Sequence, residues 1–469
     1  MNTDTMRSVL RGGDSSAVAA ASRIVQRLLR GFRGSLALRL WNDTILRLGP
    51  AAPEFTMVVR DPTVLRELVL QRNPMLIVEA HFRGLLDFEG DLYAALRLKA
   101  HFQTLSLSLR ERAALWRDAL RLPKRLRLVV SPTAAGAGSN AQPFEHRHSR
   151  HSDQAANTFH YDVSNEFYRL WLDEQMVYSC AYFESAQDSI DQAQRNKLDH
   201  ICRKLRLQRG ERLLDIGCGW GALVCWAAQH YGVDAHGITL SRQQFDGAQA
   251  RIAGAGLQDR VSVELLDYRD LKGEGVYDKV SSVGMFEHVG LANLPAYNAT
   301  VYRVLRDEGL FLNHGITHDE EGWHPGLVSD FINRYVFPDG ELDTVSNVQR
   351  GMERAGFEIL DVEALRPHYA LTLRHWVQRL EARRDEALRH VGEATYRVWR
   401  LYMAACALEF EEGGTGVYQI LTGKRRSGAP AVPLTRRDLY GVAARDTGGK
   451  SGSSSASCFG QNYDASTLH

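Results

Sequence analysis

The chain has 469 residues, of which 44% are hydrophobic and 24% are charged, a composition typical of a globular protein. This length exceeds what one ordinary hydrophobic core supports, so two or three domains are expected. The net charge of +1 hides an asymmetry, because residues 1–150 hold 23 Lys and Arg against 13 Asp and Glu. A basic front end indicates an anionic partner such as a membrane surface or a nucleic acid, although arginine-rich solvated faces are also common.

The sequence gives two indications of the compartment. Its six cysteines form no C-x-x-C pair, so they are expected to be reduced thiols of a cytosolic protein; they are Cys180, Cys202, Cys218, Cys225, Cys406 and Cys458. The N-terminus lacks the apolar core of a signal peptide, and no uncharged apolar stretch reaches the ~18–20 residues that span a bilayer. We therefore expect a cytoplasmic protein that contacts a membrane only from the side.

Residues 1–130 are predicted to form a small α+β domain that begins with an amphipathic helix over Ala17–Leu40. Apolar side chains recur there at helical spacing, arginines occupy the other positions, and no acid lies between Ser15 and Asn42. The helix would lie in a lipid headgroup layer or pack on its own domain, and the pattern leaves both readings open. The elements predicted next are strands at Glu54–Val59 and Met75–Ala80 and helices at Leu65–Leu70 and Asp91–Leu98.

Residues 131–156 are predicted to be a flexible linker, because they are rich in Pro, Gly, Ala and Ser and have no apolar period. His146, His148 and His151 cluster near its end, but no Cys or carboxylate lies at ligand spacing, so no metal site is predicted. A second domain is expected over 157–425. Residues 426–469 form a tail whose Gly/Ser-rich end is predicted to be disordered.

The second domain is organised around Leu213–Gly221, whose pattern predicts a strand, a glycine turn and the start of a helix. Glycines let the backbone turn tightly and let a ligand approach without meeting a Cβ. Strands are predicted at Arg212–Ile216, Ala235–Ile238, Val261–Leu265, Lys279–Val283 and Leu310–His314, and helices at Ser189–Leu205, Ala222–Tyr231, Ser241–Ala253, Asn293–Leu305, Thr372–His390 and Thr395–Glu412. This alternation predicts an α/β fold with a doubly wound, mostly parallel sheet, in which ligands bind at the carboxyl ends of the strands.

Polar residues after these strands bear on the type of cofactor. Asp215 precedes the glycine turn, whose spacing is tighter than the usual dinucleotide pattern. Hydroxyl and amide side chains follow the second strand, within Thr239–Gln244, where a dinucleotide site would have an acid. Asp267 follows the third strand, where it would accept from an adenine amine or be an ordinary loop carboxylate. This arrangement favours S-adenosylmethionine over NAD.

At these residues the chain resembles the cyclopropane-fatty-acyl-phospholipid synthases, a bacterial family of S-adenosylmethionine-dependent methyltransferases. The resemblance runs from about residue 157 to 423, and the N-terminal domain resembles the family's lipid-binding domain more loosely. The stretches that carry it are His160–Phe167, Tyr178–Phe183, Leu213–Gly221, Thr239–Gln244, Gly284–Gly290 and His314–Ile316.

The resemblance implies a Rossmann-like class I methyltransferase fold and two sets of site residues. Together with the spacing argument, it assigns the cofactor to Tyr178, Ser179, Asp215, Gly217, Gly219, Gly221, Thr239, Leu240, Gln244, Asp267 and Tyr268. It assigns a bicarbonate ion to Cys180, Glu287, His314, the Ile316 backbone and Tyr369. Cys406 stands where the family has an active-site cysteine, although its amphipathic helix favours a core residue.

The implied reaction moves a methyl group from S-adenosylmethionine to the cis double bond of a phospholipid acyl chain. A base, here bicarbonate, then removes a proton and a cyclopropane ring closes. Aromatic faces would stabilise the intermediate cation; the candidates are Tyr161, Phe167, Tyr182 and Phe183. Two alternatives stay open: a related methyltransferase with a branched, methylene or amine product, and a non-catalytic lipid carrier.

The expected partner is an unsaturated phospholipid in an anionic bilayer, contacted peripherally at the inner membrane face. No nucleic acid partner is expected. The oligomeric state stays open, with a homodimer as one option.

Overall fold

Two β-sheets organise the computed structural model, which describes residues 15–126, 128, 163–322, 327–336, 340–424 and 432–440. The chain divides into a unit of residues 1–432 and a second unit of 433–469, of which only a short helix, Arg437–Tyr440, is described. The predicted linker 131–156, the histidines within it and most of the predicted tail lie outside the described residues. Among the described helices, none is long and apolar enough to cross a membrane.

The first sheet has four strands in the order β2-β1-β3-β4. Only the β1–β3 pair is parallel. The strands are β1 (Leu36–Arg39), β2 (Ile45–Leu48), β3 (Phe55–Val59) and β4 (Leu86–Gly90). The helices around them are Ser15–Leu28, Thr63–Gln71, Met75–Phe82, Leu92–Leu96, Leu98–Thr104 and Leu109–Leu120.

The second sheet has seven strands in the order β10-β11-β9-β8-β5-β6-β7. Strands β5 to β9 run parallel, whereas β11 is antiparallel to both β9 and β10. The fold is therefore the predicted mostly parallel, Rossmann-like α/β sheet. Its strands are β5 (Arg212–Ile216), β6 (Asp234–Thr239), β7 (Val261–Leu265), β8 (Tyr277–Val283), β9 (Leu305–His318), β10 (Phe357–Ala364) and β11 (Thr415–Lys424).

Helices cover the faces of this sheet, as the alternating sequence pattern predicts. Short 3₁₀ turns at Tyr268–Asp270, Phe286–His288 and Leu291–Asn293 follow the strands that lead to the site. The helices are Asn165–Arg169, Ile190–Lys204, Ala222–Tyr231, Arg242–Gly254, Leu294–Val304, Leu327–Tyr335, Val345–Arg354, Arg366–Ala382, Arg384–His390 and Glu393–Glu412.

Several element predictions are wrong. The helix expected over Ala17–Leu40 ends at Leu28, and Gly31, with φ of +82°, turns the chain toward β1. The strand expected over Met75–Ala80 is a helix, because Pro74 precedes its first turn and the Asn73 side chain accepts from the Met75 N–H at 3.0 Å. Asp91–Leu98 and Thr372–His390 each lie in two helices, and no strand was predicted at β2, β4, β10 or β11.

Arg23 and Arg27 of the first helix, and Arg30 just after it, form ion pairs with acids of the same domain. The carboxylate of Asp118 is fully buried and accepts from Arg23 at 2.8 Å and from Arg27 at 2.5 Å. Arg30 bonds to Glu111 on the same neighbouring helix. Since the apolar side of the first helix is buried as well, this helix packs on its own domain, the second of the two readings that its sequence left open.

Helices Met75–Phe82 and Leu92–Leu96 of the N-terminal domain contribute Met75, Phe82 and Leu92 to the core that contains helix Glu393–Glu412. Phe82 packs edge-on against Tyr335 with ring centroids 5.0 Å apart. The buried Arg397 reaches from that helix to the His81 carbonyl at 2.9 Å and to Asp87 at 2.8 Å. Burial and the nearby Arg397 cation lower the pKa of His81 to about 4, so this imidazole is neutral at physiological pH.

Arg397→Met should lower the free energy of unfolding by about 3 kcal/mol, because it removes the buried donor of the His81 carbonyl and leaves the partly buried Asp87 carboxylate with the half-exposed Arg60 as its arginine partner. The matched control is Arg400→Met on the same helix, whose partner Glu381 is 41% exposed. That pair should contribute at most about 1 kcal/mol. Urea denaturation of both variants measures the difference, and equal losses would contradict the assigned role of Arg397.

Candidate active site

A cavity lies at the carboxyl ends of β5 to β8, where the parallel strands stop and their connections diverge. It collects all but one of the residues that the sequence assigned to the cofactor. Those that line it are Tyr178, Ser179, Asp215, Gly217, Gly219, Thr239, Leu240, Gln244, Asp267 and Tyr268. Because they come from four separate stretches of chain, the cavity exists only in the folded sheet.

The glycine turn after β5 forms one wall of the cavity. Gly217, Gly219 and Gly221 all have positive φ, at +79°, +55° and +79°. Gly221 is the predicted cofactor residue that does not line the cavity. A Cβ at this position would lie 3.1 Å from the Ala248 Cβ, so its role is close packing between the helix that follows β5 and the helix that follows β6.

The turn after β6 is fixed by its own side chains. The Thr239 hydroxyl donates to Gln244 Oε1 at 2.8 Å, and the Ser241 hydroxyl accepts from the Gln244 N–H at 3.3 Å. Ser241 thereby caps the helix that follows. Thr239 and Gln244 are both buried, so the cavity wall is polar and already ordered.

The turn after β7 carries Asp267, which was expected to accept from an adenine amine or to be a loop carboxylate. Arg269 holds both of its oxygens, with Nε 2.8 Å from Oδ1 and Nη2 2.6 Å from Oδ2. Asp267 therefore also orients the Arg269 guanidinium, which lines the same cavity. Tyr268 is buried edge-on against Tyr297, with ring centroids 5.2 Å apart.

Lys197 is a lining residue that the sequence reasoning missed. It is 1% exposed, and its Nζ donates to the Ser179 hydroxyl at 2.7 Å. Burial lowers the pKa of Lys197 to about 8 and raises the pKa of Asp215 to about 6. A signal was present in the sequence, because Lys197 falls at helical spacing with Ile190, Ala193 and Ile201 on the buried face of its helix.

Tyr178 joins the cavity to a cluster of aromatic side chains. Its ring lies 5.5 Å from the Trp171 ring, 5.3 Å from Trp376 and 5.8 Å from Tyr168. Trp220 also lines the cavity and packs 5.3 Å from Tyr168. Since these rings are buried, the cavity adjoins a region of low polarity.

Glu287 is the central residue of the predicted bicarbonate set. It follows β8 in the 3₁₀ turn, and its Oε1 accepts from the Ile316 N–H of β9 at 2.7 Å. Its Oε2 is buried and has no hydrogen-bond partner among the described residues. Burial raises the pKa of Glu287 to about 7, against the effect of the Ile316 N–H. The Ile316 N–H that was expected to help hold an anion is therefore already used by Glu287.

His314 lies two residues before Ile316 on β9, so both side chains project from the same face of the strand. Its Nδ1 lies 3.2 Å from Gln419 Nε2, and its Nε2 has no partner among the described residues. Burial and the nearby Lys197 and Lys204 cations keep the pKa of His314 far below its usual range. With the Gln419 amide nitrogen donating to Nδ1, the neutral ring carries its hydrogen on Nε2 and can donate.

Cys180 and Tyr369 meet at the backbone of Leu365. The Leu365 carbonyl accepts from the Tyr369 N–H at 3.2 Å and lies 3.8 Å from the Cys180 sulfur. The Leu365 N–H in turn bonds to Val417, which is paired with Ile316 in the sheet. The predicted bicarbonate residues are thus linked through β9, β11 and the helix that follows β10. Burial raises the pKa of the Cys180 thiol, so it is protonated.

Cys406 packs against the large core that contains the aromatic cluster, and burial raises the pKa of its thiol. It does not line the cavity that collects the cofactor residues. Of the candidate aromatic faces, Phe167 belongs to the cluster, with its ring 6.2 Å from Trp171. Tyr182 stacks on His200 at 4.2 Å and on His368 at 4.9 Å.

Phe183 stacks 5.6 Å from His375. Tyr161 lies outside the described residues. Among the described residues, no group of three or more His, Cys, Asp or Glu is arranged to hold a metal ion.

Comparison with known proteins gives consistent results. Residues 148–420 match the family model of mycolic acid cyclopropane synthetase. The chain is 42% identical to a probable fatty acid methyltransferase from Pseudomonas putida over 409 residues, which are 86% of this chain and 96% of the relative. It is 38% identical to the cyclopropane-fatty-acyl-phospholipid synthase of Escherichia coli K12 over 262 residues, which are 56% of this chain and 66% of the relative.

Two solved structures are similar at the level of both fold and sequence. The cyclopropane synthase MmaA2 from Mycobacterium tuberculosis has a TM-score of 0.55 and 31% identity, covering 61% of this chain and 100% of that one. The mycolic acid cyclopropane synthase CmaA1, complexed with SAH and CTAB, has a TM-score of 0.54 and 35% identity, covering 57% of this chain and 97% of that one.

Glu287→Gln should change the pH dependence of stability. The unfolded carboxyl titrates near 4.5 and the folded one near 7, so wild-type stability falls as pH rises between these values. The variant should lack this fall, which amounts to roughly 3 kcal/mol. Urea denaturation at pH 5 and pH 8 measures it. An unchanged difference between the two pH values would show that Glu287 does not carry this raised pKa.

Lys197→Met should weaken binding of S-adenosylhomocysteine about tenfold or more, because the buried ammonium lines the cavity and is expected to pair with the carboxylate at the amino-acid end of the ligand. Binding of 5′-methylthioadenosine, which lacks that end, should be unchanged. Calorimetry on both ligands measures the contrast, with the exposed Lys272→Met as control. Equal losses for both ligands would instead indicate that Lys197 only supports the fold around Ser179.

Proposed function

Since the chain belongs to the mycolic acid cyclopropane synthetase family, we propose that it methylates the cis double bond of an unsaturated phospholipid acyl chain and closes a cyclopropane ring. The chain is an S-adenosylmethionine-dependent methyltransferase of the cyclopropane synthase type. The proposal of ring closure depends mainly on one observation, the buried Glu287 carboxyl, which has a pKa near 7 and one oxygen without a partner among the described residues. Glu287 lies on the turn that follows β8, a strand that ends at the cofactor cavity.

Ring formation requires two bond changes on the substrate. The alkene attacks the sulfonium methyl group, so that a C–C bond forms, the C–S bond breaks and the neighbouring carbon becomes a cation. Loss of a proton from the added methyl group lets its C–H electron pair close the three-membered ring. An alkene is a weak nucleophile, so the protein must hold both reactants in line and exclude water.

The aromatic cluster supports this chemistry from the protein side. Tyr178 and Trp220 line the cavity and connect it to buried rings. Aromatic faces attract a cation through their quadrupoles without offering it a nucleophile. Rings at this position therefore stabilise the cation and leave it to lose a proton rather than to react with water.

The polar atoms beside Ile316 suit bicarbonate, which both accepts and donates hydrogen bonds. His314 Nε2–H is a donor, Glu287 Oε2 is an acceptor, and both atoms are buried and unpartnered among the described residues. When bound, bicarbonate supplies a base of suitable strength in a region that otherwise holds a neutral imidazole and a protonated thiol. Glu287, with its pKa near 7, is then able to receive a proton at physiological pH.

The proposal includes an unsaturated phospholipid in an anionic bilayer as substrate and a cytoplasmic enzyme that acts peripherally at the inner membrane face. The similarity to a synthase that is named for fatty-acyl-phospholipid supports the substrate class. The excess of basic residues in 1–150 supports contact with an anionic surface.

A second candidate product is a methyl-branched chain. The similarity to a probable fatty acid methyltransferase over 86% of this chain favours it. The two outcomes differ in which carbon loses the proton after methyl transfer: loss from the added methyl group closes the ring, whereas loss from a neighbouring chain carbon leaves a methyl-branched alkene.

Wild-type protein incubated with S-adenosylmethionine and mono-unsaturated phosphatidylglycerol vesicles should yield a lipid with one added CH₂. Proton NMR should show the upfield signals of cyclopropyl hydrogens, and the rate should rise with added bicarbonate. Signals of a methyl branch or a methylene group without cyclopropyl signals would favour the second candidate. No added CH₂ would refute both.

In the same assay Glu287→Gln should lower the turnover about 10²–10⁴-fold, the usual contribution of an acid–base group, while S-adenosylhomocysteine still binds. The exposed Glu358→Gln is the matched control and should turn over normally. Wild-type rates that are indifferent to bicarbonate would remove bicarbonate from the proposal and leave the methyl transfer standing.

A further inference from the structure

Helix Leu109–Leu120 and the segment after it expose an apolar stripe. Leu109 is 82% exposed, Trp116 44%, Leu120 58% and Leu126 42%. In the helix, Leu109, Ala113, Trp116 and Leu120 recur every three or four residues, so they lie on one side. The opposite side is packed on the domain through Leu115 and Ala119. Isolated exposed apolar residues are ordinary, whereas an aligned set marks an interaction surface.

Cations surround this stripe, and the acids near it are bound. The exposed basic residues are Arg72, Arg110, Arg112, Arg117, Arg121, Lys124 and Arg125. Residues 105–126 contain only two acids, Glu111 and Asp118. Glu111 is held by Arg30, and Asp118 is fully buried beneath Arg23 and Arg27. Arg23, Arg27 and Arg30 therefore neutralise the acids of helix Leu109–Leu120.

We propose that this surface, formed by the apolar stripe and its seven cations and called here the Trp116 face, docks on an anionic phospholipid bilayer. Tryptophan and leucine side chains on an amphipathic helix enter the boundary between headgroups and acyl chains, and a Trp ring suits that position. The arginines around them pair with lipid phosphates. The methyltransferase is thereby held at the surface that contains its substrate.

Charge and apolar character together favour a bilayer over other partners. A second copy of the chain would bring seven cations against seven, which repel one another. A nucleic acid would satisfy the arginines but would leave Leu109 and Leu120 in water or against phosphates. An anionic bilayer accommodates both properties, because its phosphates lie directly above an apolar layer.

The test is partitioning of the full chain onto vesicles of phosphatidylglycerol and phosphatidylcholine. The charge-reversed variant is R110E/R117E/K124E. Among the described residues, these three cations form no hydrogen bond with another side chain. The variant should bind the vesicles on the order of 100-fold more weakly at low salt. The matched control is K272E/R350E/R354E, which changes the net charge equally with three exposed residues of the larger domain. The control should retain most of the binding.

Trp116→Ser probes the apolar part of the Trp116 face separately. It should weaken vesicle binding most at high salt, where the attraction between charges is screened. The control is Leu265→Ser, which alters a partly exposed leucine on β7, at the edge of the larger sheet. Circular dichroism of each variant verifies the fold, so a loss of binding can be assigned to the surface.

Three outcomes would overturn this inference. The first is equal loss of vesicle binding in both charge-reversed variants. The second is conversion of a dimer to a monomer by the variants of the Trp116 face, with vesicle binding unchanged. The third is binding to duplex DNA that depends on Arg110, Arg117 and Lys124 while vesicle binding does not. The inference depends on the proposed function for its lipid substrate, but the binding test needs no turnover, so an inactive protein that still binds vesicles would refute only the proposed function.

Discussion

The hydrogen bond between the Ile316 N–H and the buried Glu287 carboxylate ties together the elements on which the site depends. It joins the turn after β8 to β9, and β9 is the strand at which the parallel part of the sheet meets the antiparallel β11. It also leaves one Glu287 oxygen unpartnered away from water. Burial raises the pKa of the Glu287 carboxyl to about 7, and one of its oxygens is unpaired in the described part of the chain. The turn can therefore exchange a proton as well as support the fold.

The same low-polarity environment acts on several buried titratable groups of the larger domain. Burial raises the pKa of Asp215 and lowers those of Lys197 and His314, so groups of opposite type are all shifted toward their neutral forms. Polar side chains arranged in this way cost the fold stability. They give a site in which small changes of charge, such as binding an anion or moving one proton, have large electrostatic effects because little water screens them.

The N-terminal domain is attached to this site through shared packing. Met75, Phe82 and Leu92 belong to the same core as the aromatic cluster, and Arg397 reaches from helix Glu393–Glu412 to Asp87 of β4. Arg23 and Arg27 of its first helix pair with Asp118 of a neighbouring helix, and Arg30, just after the first helix, pairs with Glu111. The charge asymmetry that was visible in the sequence is thus divided between cations that neutralise internal acids and cations on the Trp116 face.

The sequence by itself determined the parallel core, most strand positions and the residues that gather around the cofactor cavity. These follow from local patterns: β5 and β7 were predicted residue for residue, and the polar residues after β6 and β7 reach the same edge because parallel strands end there. The site assignments beyond that geometry stay predictions. Lys197 could have been found from the apolar period of its helix, although its charge argued against burial.

Only the tertiary structure decided the remaining features, because they depend on partners distant in sequence. A short, mostly apolar run such as Met75–Ala80 is compatible with a strand or a helix until its packing is known. Strands β10 and β11 become strands by pairing with β9, and Gly221 proves to be a packing residue because Ala248 lies against it. Arg23 and Arg27 pair with Asp118, which is about 90 residues away in the sequence. A local sequence pattern cannot predict a partner at that separation.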